Sequence, residues 1–202
     1  AKYAFDQGLT DKTTLPVETR LGIKILDLIT GPDHTVSRVR VDMGKPVFEP
    51  EKIPAQVHDA QTPVLDLPLE VDGTTFQVNL VSMGNPHCVI LTDGATDDLH
   101  TRFGPLIETH PLFPAKTNVE FIHVAQPGRV VMKVWERGSG ETLSCGTGAC
   151  ASMVVATLKG LVKDTAVVEL PGGELEIEWK GMGSHVVMTG PAVTVYTGTI
   201  TI

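Results

Sequence analysis

No run of this sequence approaches the roughly 18 consecutive apolar residues that cross a bilayer as a helix. Its first residues show no signal-peptide pattern. Basic residues are scarce: 16 Lys and Arg stand against 24 Asp and Glu, for a formal charge of -8. That balance argues against a nucleic-acid partner or an anionic membrane surface, while leaving room for a local basic pocket. Cysteine is rarer still. Cys88, Cys145 and Cys150 are an odd number without disulfide-framework spacing, so a reducing, cytoplasmic setting is expected. The seven histidines are scattered, none in a His-Glu-x-x-His arrangement, and the cysteines lack zinc spacing. The glycine-rich turns match neither a dinucleotide fingerprint nor a phosphate loop. The expectation is chemistry with no metal and no cofactor.

What is present suffices for one large core or two small ones, with 202 residues and 42% hydrophobic content. Residues Ala1 to Leu9 read as the back half of a helix, apolar at 1, 4, 5 and 9, with Gly8 as C-cap. They lack an N-cap and a lead-in. The expectation is an upstream segment, in cis or on a separate chain; a processed N-terminus is the alternative.

Short alternating segments follow. Val17 to Leu28 and Val36 to Met43 read as strands around the Thr30-Gly31-Pro32-Asp33 turn. A proline-rich stretch from Pro46 to Pro68 leads to a hairpin of Leu67–Val71 and Thr75–Val81 about Asp72-Gly73. His87 to Leu91 is a strand, and Asp97 to His110 holds a short helix. Val119 to Ala125 and Arg129 to Glu136 form a hairpin about Gln126-Pro127-Gly128. A long helix near 148–160 is closed by Gly160 and is apolar nearly all round, which predicts that sheet wraps it. Ala166–Leu170, Glu174–Trp179, His185–Thr189 and Val193–Thr197 complete the strands. Tight antiparallel turns with one long helix predict an α+β fold. The two helices also share a rhythm, each ending in Gly-Leu (Gly8-Leu9 and Gly160-Leu161), as a weak internal repeat would.

The most informative stretch runs from Trp135 to Ala151. Paired charges, Glu136 and Arg137, precede two glycine-rich turns and then Cys145 in Ser-Cys-Gly-Thr-Gly, at the mouth of the apolar helix. Unpaired N–H groups there favour a thiolate and, exposed through Gly146 and Gly148, a carboxylate. Glu136 offers an acceptor for an ammonium and Arg137 a forked donor for a carboxylate. Cys150 lies roughly 140° around the helix from Cys145, and Cys88 alternates away from His87 along a strand. Burial is expected for both. Gly84 and Pro86 fix a turn that turns Asn85 and His87 toward one cavity. Asn118, just before a strand, is a weaker polar candidate.

Several separated motifs resemble the diaminopimelate epimerase family: Met83-Gly84-Asn85-Pro86-His87, Thr117-Asn118-Val119-Glu120-Phe121, Glu136-Arg137-Gly138-Ser139-Gly140-Glu141-Thr142 and Ser144-Cys145-Gly146-Thr147-Gly148. The resemblance runs through the whole chain. It implies two similar lobes of strands wrapped around a central helix, with the remainder of an N-terminal lobe in 1–45, a C-terminal lobe in 46–188 and a strand in 189–202 returning to the first lobe. It implies interconversion of LL- and meso-diaminopimelate without pyridoxal phosphate or metal, supplying lysine and peptidoglycan precursors, by a homodimer of the complete chain. By the same resemblance Cys145 is one of two acid/base cysteines. His87 and Glu136 tune the thiols, Asn85, Asn118 and Arg137 hold the distal end of the substrate, and Gly146 and Thr147 cradle the reacting carboxylate. The motif for the other cysteine is not in these residues, and neither Cys88 nor Cys150 takes its place. Two alternatives stay open: a proline racemase-like isomerase, and a non-catalytic binding or assembly module.

Overall fold

The computed structural model describes residues 1–19, 22–57, 61–94 and 98–201. Residues 20–21 and 58–60, within expected segments, and Asp97, the first residue of the expected short helix, lie outside the described residues. The chain divides into two compact units, one of residues 1–42 with 189–202 and one of residues 43–188. No helix of the described residues is long and apolar enough to cross a membrane.

The first unit opens with a short helix, α1 (Lys2–Asp6), followed by β1 (Thr14–Thr19), β2 (Gly22–Thr30) and β3 (Val36–Gly44). The three strands pair antiparallel in sequence order. Val17 to Leu28 is therefore not one strand. Thr19 pairs antiparallel with Gly22, so the apolar alternation belongs to two paired strands, a division that composition alone does not mark. Lys2 and Asp6 form an ion pair at 2.7 Å and hold both backbone groups of Val36, Lys2 donating to its carbonyl and Asp6 accepting from its N–H. Leu28 and Val36 are the buried apolar side chains among this unit's described residues, whereas Tyr3, Leu9 and Ile23 are each at least 67% exposed.

The second unit contains β4 (Leu67–Val71), β5 (Thr74–Ser82), β6 (Pro86–Leu91), α2 (Leu99–Glu108), β7 (Asn118–Gln126), β8 (Arg129–Glu136), β9 (Gly140–Glu141), α3 (Gly146–Leu158), β10 (Thr165–Leu170), β11 (Gly173–Trp179) and the first three residues of β12 (Val186–Pro191), whose remainder belongs to the first unit. Its strands follow the order β12-β11-β10-β8-β7-β6-β5-β4, with β9 on β8. The Asp72-Gly73 and Gln126-Pro127-Gly128 hairpins form as expected. Two joins are parallel, β6 with β7 and β8 with β10. Each spans a helix, α2 and α3 respectively, because a parallel partner can be reached only by a crossover.

Residue alternation sends the two faces of this sheet to different cores. Val89, Ile122, Val130, Met132 and Val134 pack around α3, while Cys88, Ile90, Val119 and Phe121 pack on the face that carries α2. Every residue of α3 from Gly148 to Ala156 is buried, and strands β5 to β8, β10 and β11 all touch the helix. Burying each Val or Met side chain there contributes roughly 1.5–3 kcal/mol. The helix starts two residues before the expected 148 because Cys145 supplies its N-cap.

Its end repeats the end of α1. Gly160 donates to the Thr157 carbonyl and Leu161 to that of Ala156; Gly8 donates to Phe5 and Leu9 to Ala4. Both glycines sit at φ +69, the left-handed cap conformation that a side chain would strain. The last expected strand, Val193–Thr197, does not form. Among the described residues the final strand is β12, beyond which Ala192 N–H donates to the Ser37 carbonyl, while Val193, Val195 and Tyr196 are at least 75% exposed.

Candidate active site

Cys145, at the end of the loop that follows β9, is extended at φ -136 and ψ 104 and caps α3 with its own sulfur. Sγ accepts the Gly148 N–H at 3.4 Å and meets Thr147 Oγ1 at 3.6 Å. The Ala149 N–H goes to the Cys145 carbonyl. The amides of Gly146 and Thr147, first in the helix, have no acceptor within it. They remain available to an anion.

Cys145 is 6% exposed, and its acidity departs from the sequence expectation of a thiolate. Burial first, and the charge of Glu120 second, push the Cys145 thiol up to about 12. The Thr147 hydroxyl and the Gly148 N–H pull the other way, and Glu136 adds a further push upward. Two donors and a helix end are outweighed by burial first and then by the charges of Glu120 and Glu136, and the sequence motif alone reveals neither the burial nor the approach of Glu120.

That carboxylate begins a chain of polar contacts. Glu120 Oε1 lies 2.7 Å from His87 Nδ1, with both side chains fully buried. His87 Nε2 lies 3.0 Å from Asn85 Oδ1, and Asn85 Nδ2–H donates to Thr147 Oγ1 at 3.2 Å. Thr147 then reaches the sulfur. The turn at Gly84-Asn85-Pro86 thus brings Asn85 and His87 together beside Cys145. Glu120 is the functional candidate that sequence reasoning missed. Its signal was a charged residue at an inward position of an otherwise apolar strand, Val119-Glu120-Phe121-Ile122, where alternation places it on the α3 face.

Glu136, Arg137 and Asn118 gather at the end of β8. Glu136 accepts from the Thr142 hydroxyl. Asn118 spends its amide on the backbone, Oδ1 accepting from Arg137 N–H at 3.0 Å and Nδ2–H donating to the Pro86 carbonyl at 2.7 Å. It ties β6, β7 and β8 together and keeps one N–H and one lone pair in reserve. Glu108 of α2 accepts from Gly138 N–H and Trp135 Nε1–H, holding the same turn from the other side. The Arg137 side chain is exposed and, among the described residues, donates only to the Ala115 carbonyl, at 3.3 Å. Its fork is therefore presented on a fixed backbone. Cys88 and Cys150 have no exposed surface and stand in the two cores; burial raises the Cys88 thiol well above the ordinary range.

The fold is shared with solved amino-acid racemases and epimerases. A probable proline racemase from Agrobacterium radiobacter K84, solved with bound carbonate, aligns with a TM-score of 0.71 at 18% identity, over 100% of this chain and 65% of that one. A hydroxyproline epimerase from Agrobacterium vitis with bound trans-4-hydroxy-L-proline gives 0.66 at 17%, over 94% and 61%. Sequence narrows the assignment. The diaminopimelate epimerase profile matches residues 79–195. The diaminopimelate epimerase of Desulfitobacterium hafniense is 50% identical over 99% of this chain and 69% of that protein. That of Acetivibrio thermocellus is 47% identical over 98% and 70%. The chain belongs to the diaminopimelate epimerase family.

Proposed function

We propose that these residues carry one half of the proton-transfer machinery of an enzyme that interconverts LL- and meso-diaminopimelate. The observation behind this is the Cys145 sulfur at the mouth of α3, beside two helix amides with no acceptor in the helix. Inversion at an α-carbon requires removal of a proton on one face and delivery on the other. Cys145 serves one face. The amides of Gly146 and Thr147 hold the α-carboxylate and stabilise the charge that develops as the proton leaves. Glu136 and Arg137 take the ammonium and carboxylate of the distal end, with Asn85 and Asn118 as further polar contacts; the acceptor and the fork suit a charged distal group.

The opposite acid/base is a second thiol from outside these 202 residues. Cys88 and Cys150 are sealed in the cores, so neither can face the substrate. The exposed Ile23 and the thin apolar burial of the first unit support the same arrangement, with further chain completing that lobe. A cytoplasmic homodimer of the complete chain goes with this function.

A substrate panel tests it. The complete chain should invert LL-diaminopimelate and leave proline and hydroxyproline unchanged, because a site with charged distal groups is left unpaired by a ring that has none. Preferential inversion of proline would overturn the assignment in favour of a proline racemase-like activity. That outcome has less support: the likeness to those proteins is 17–18% in sequence, against 47–50% for the diaminopimelate epimerases.

A further inference from the structure

The polar chain that ends at Cys145 has a direction. Asn85 Oδ1 faces His87 Nε2 at 3.0 Å, and a carbonyl oxygen requires a donor, so this orientation of the Asn85 amide goes with a proton on Nε2. A second proton lies between His87 Nδ1 and Glu120 Oε1, since two lone pairs would repel at 2.7 Å. The pair is then neutral as a whole. At the other end, Thr147 Oγ1 accepts from Asn85, which frees the Thr147 hydrogen for the sulfur. With the Gly148 N–H, Sγ receives two donors. This arrangement suits a thiolate.

Removing the shared proton reverses the chain. The remaining proton of His87 sits on Nδ1 against the carboxylate, and Nε2 becomes an acceptor. The Asn85 amide must turn over to donate to it. Thr147 then donates to the Asn85 oxygen, and the sulfur keeps its own proton to donate to Thr147. The pair is now an anion, buried beside the thiol. Hydrogen bonding and charge both favour the protonated sulfur.

We propose that Glu120 is a positioning residue: with His87 it forms a proton-holding pair whose state, passed through Asn85 and Thr147, sets whether Cys145 rests as thiol or thiolate. This rests on Cys145 being an acid/base thiol of the proposed reaction. The site has few competing charges. Glu120 faces the sulfur from β7, His87 stands behind it on β6, and Glu136 acts from the end of β8. The first turn of α3 carries no acidic side chain. The residues of β10 and β11 in the core around α3, Ala166, Val168, Leu170, Ile177 and Trp179, are apolar. Glu120 Oε2 has no hydrogen-bond partner among the described residues, so little besides the His87 proton offsets its charge.

The experiment is alkylation of the complete chain by iodoacetamide from about pH 6 to pH 10, with Cys145 read alone by peptide mapping. Glu120→Gln keeps the shape and cannot become an anion. Cys145 of that variant should alkylate about tenfold faster near pH 8, its profile displaced to lower pH. Thr147→Val removes the final donor and should slow alkylation about threefold or more. A Glu120→Gln profile that superimposes on that of the unmodified protein, with the fold confirmed by circular dichroism, would overturn the proposal. Should Glu120→Gln fail to fold, Thr147→Val decides, and an unchanged rate there overturns it equally. Alkylation needs no substrate. Failure of the unmodified protein to convert diaminopimelate would therefore count against the proposed function alone.

Discussion

Glu120 and Cys145 meet at Gly148: a Cβ built on that glycine would lie 2.8 Å from Glu120 Oε1 and 3.2 Å from Cys145 Sγ. The missing side chain is what lets a carboxylate and a thiol share the mouth of α3. In an exposed helix, Gly→Ala stabilises by about 1 kcal/mol. Here the methyl group would enter a filled space, so Gly148→Ala should destabilise by roughly 1–3 kcal/mol. Displacing the sulfur should also lower kcat/KM by about 100-fold. Urea unfolding and steady-state kinetics measure the two effects, and a more stable, fully active variant would contradict the packing described.

The raised pKa of Cys145 makes its reactivity pH-dependent in a defined sense. Without substrate, Cys145 should alkylate slowly near neutrality and increasingly fast above pH 9, with Cys88 and Cys150 unlabelled in the folded protein. Stability follows by linkage. The folded thiol holds its proton up to about 12, against an ordinary 9.0. Its contribution is therefore complete below pH 9 and is lost as pH rises toward 12. Relative to Cys145→Ser, the unmodified protein should lose unfolding free energy over that window, which denaturant titrations at several pH values would reveal.

Arg137→Lys replaces a fork by a point charge at an exposed position whose backbone is held by Asn118 and Glu108 through their contacts to Arg137 and Gly138. The loss of one charged hydrogen bond to substrate should cost on the order of 2–3 kcal/mol in kcat/KM. Thermal stability should hardly change, since among the described residues the Arg137 side chain donates to the Ala115 carbonyl and is otherwise exposed. An unchanged kcat/KM would remove Arg137 from the site.

Much of the second unit was legible because its signals are local. Asp72-Gly73 and Gln126-Pro127-Gly128 mark hairpins by turn chemistry, and the Gly-Leu pairs mark two helix ends with the same cap. Cys88 faces away from His87, as strand alternation requires. What escaped depends on partners distant in sequence. The parallel joins of β6 to β7 and β8 to β10 are set by where the helices cross, not by any residue within a strand. The strand expected at Val193–Thr197 has an apolar pattern but no ladder, and pattern without pairing leaves a segment irregular. Cys145 was found from its glycines, while its protonation was misjudged, because its burial, and then the approach of Glu120 from 25 positions away in the sequence, arise only through the fold.

The central claim, that Cys145 moves the α-proton while a different group serves the opposite face, is tested most directly in deuterated water. The complete chain, given LL-diaminopimelate alone, should form meso product carrying one α-deuterium while the remaining substrate stays unlabelled at early times. A thiol holds a single proton, so one group returns what it took and the other delivers hydrogen from solvent. Cys145→Ala should abolish product formation. Product formed without deuterium, or undiminished inversion by Cys145→Ala, would contradict the account.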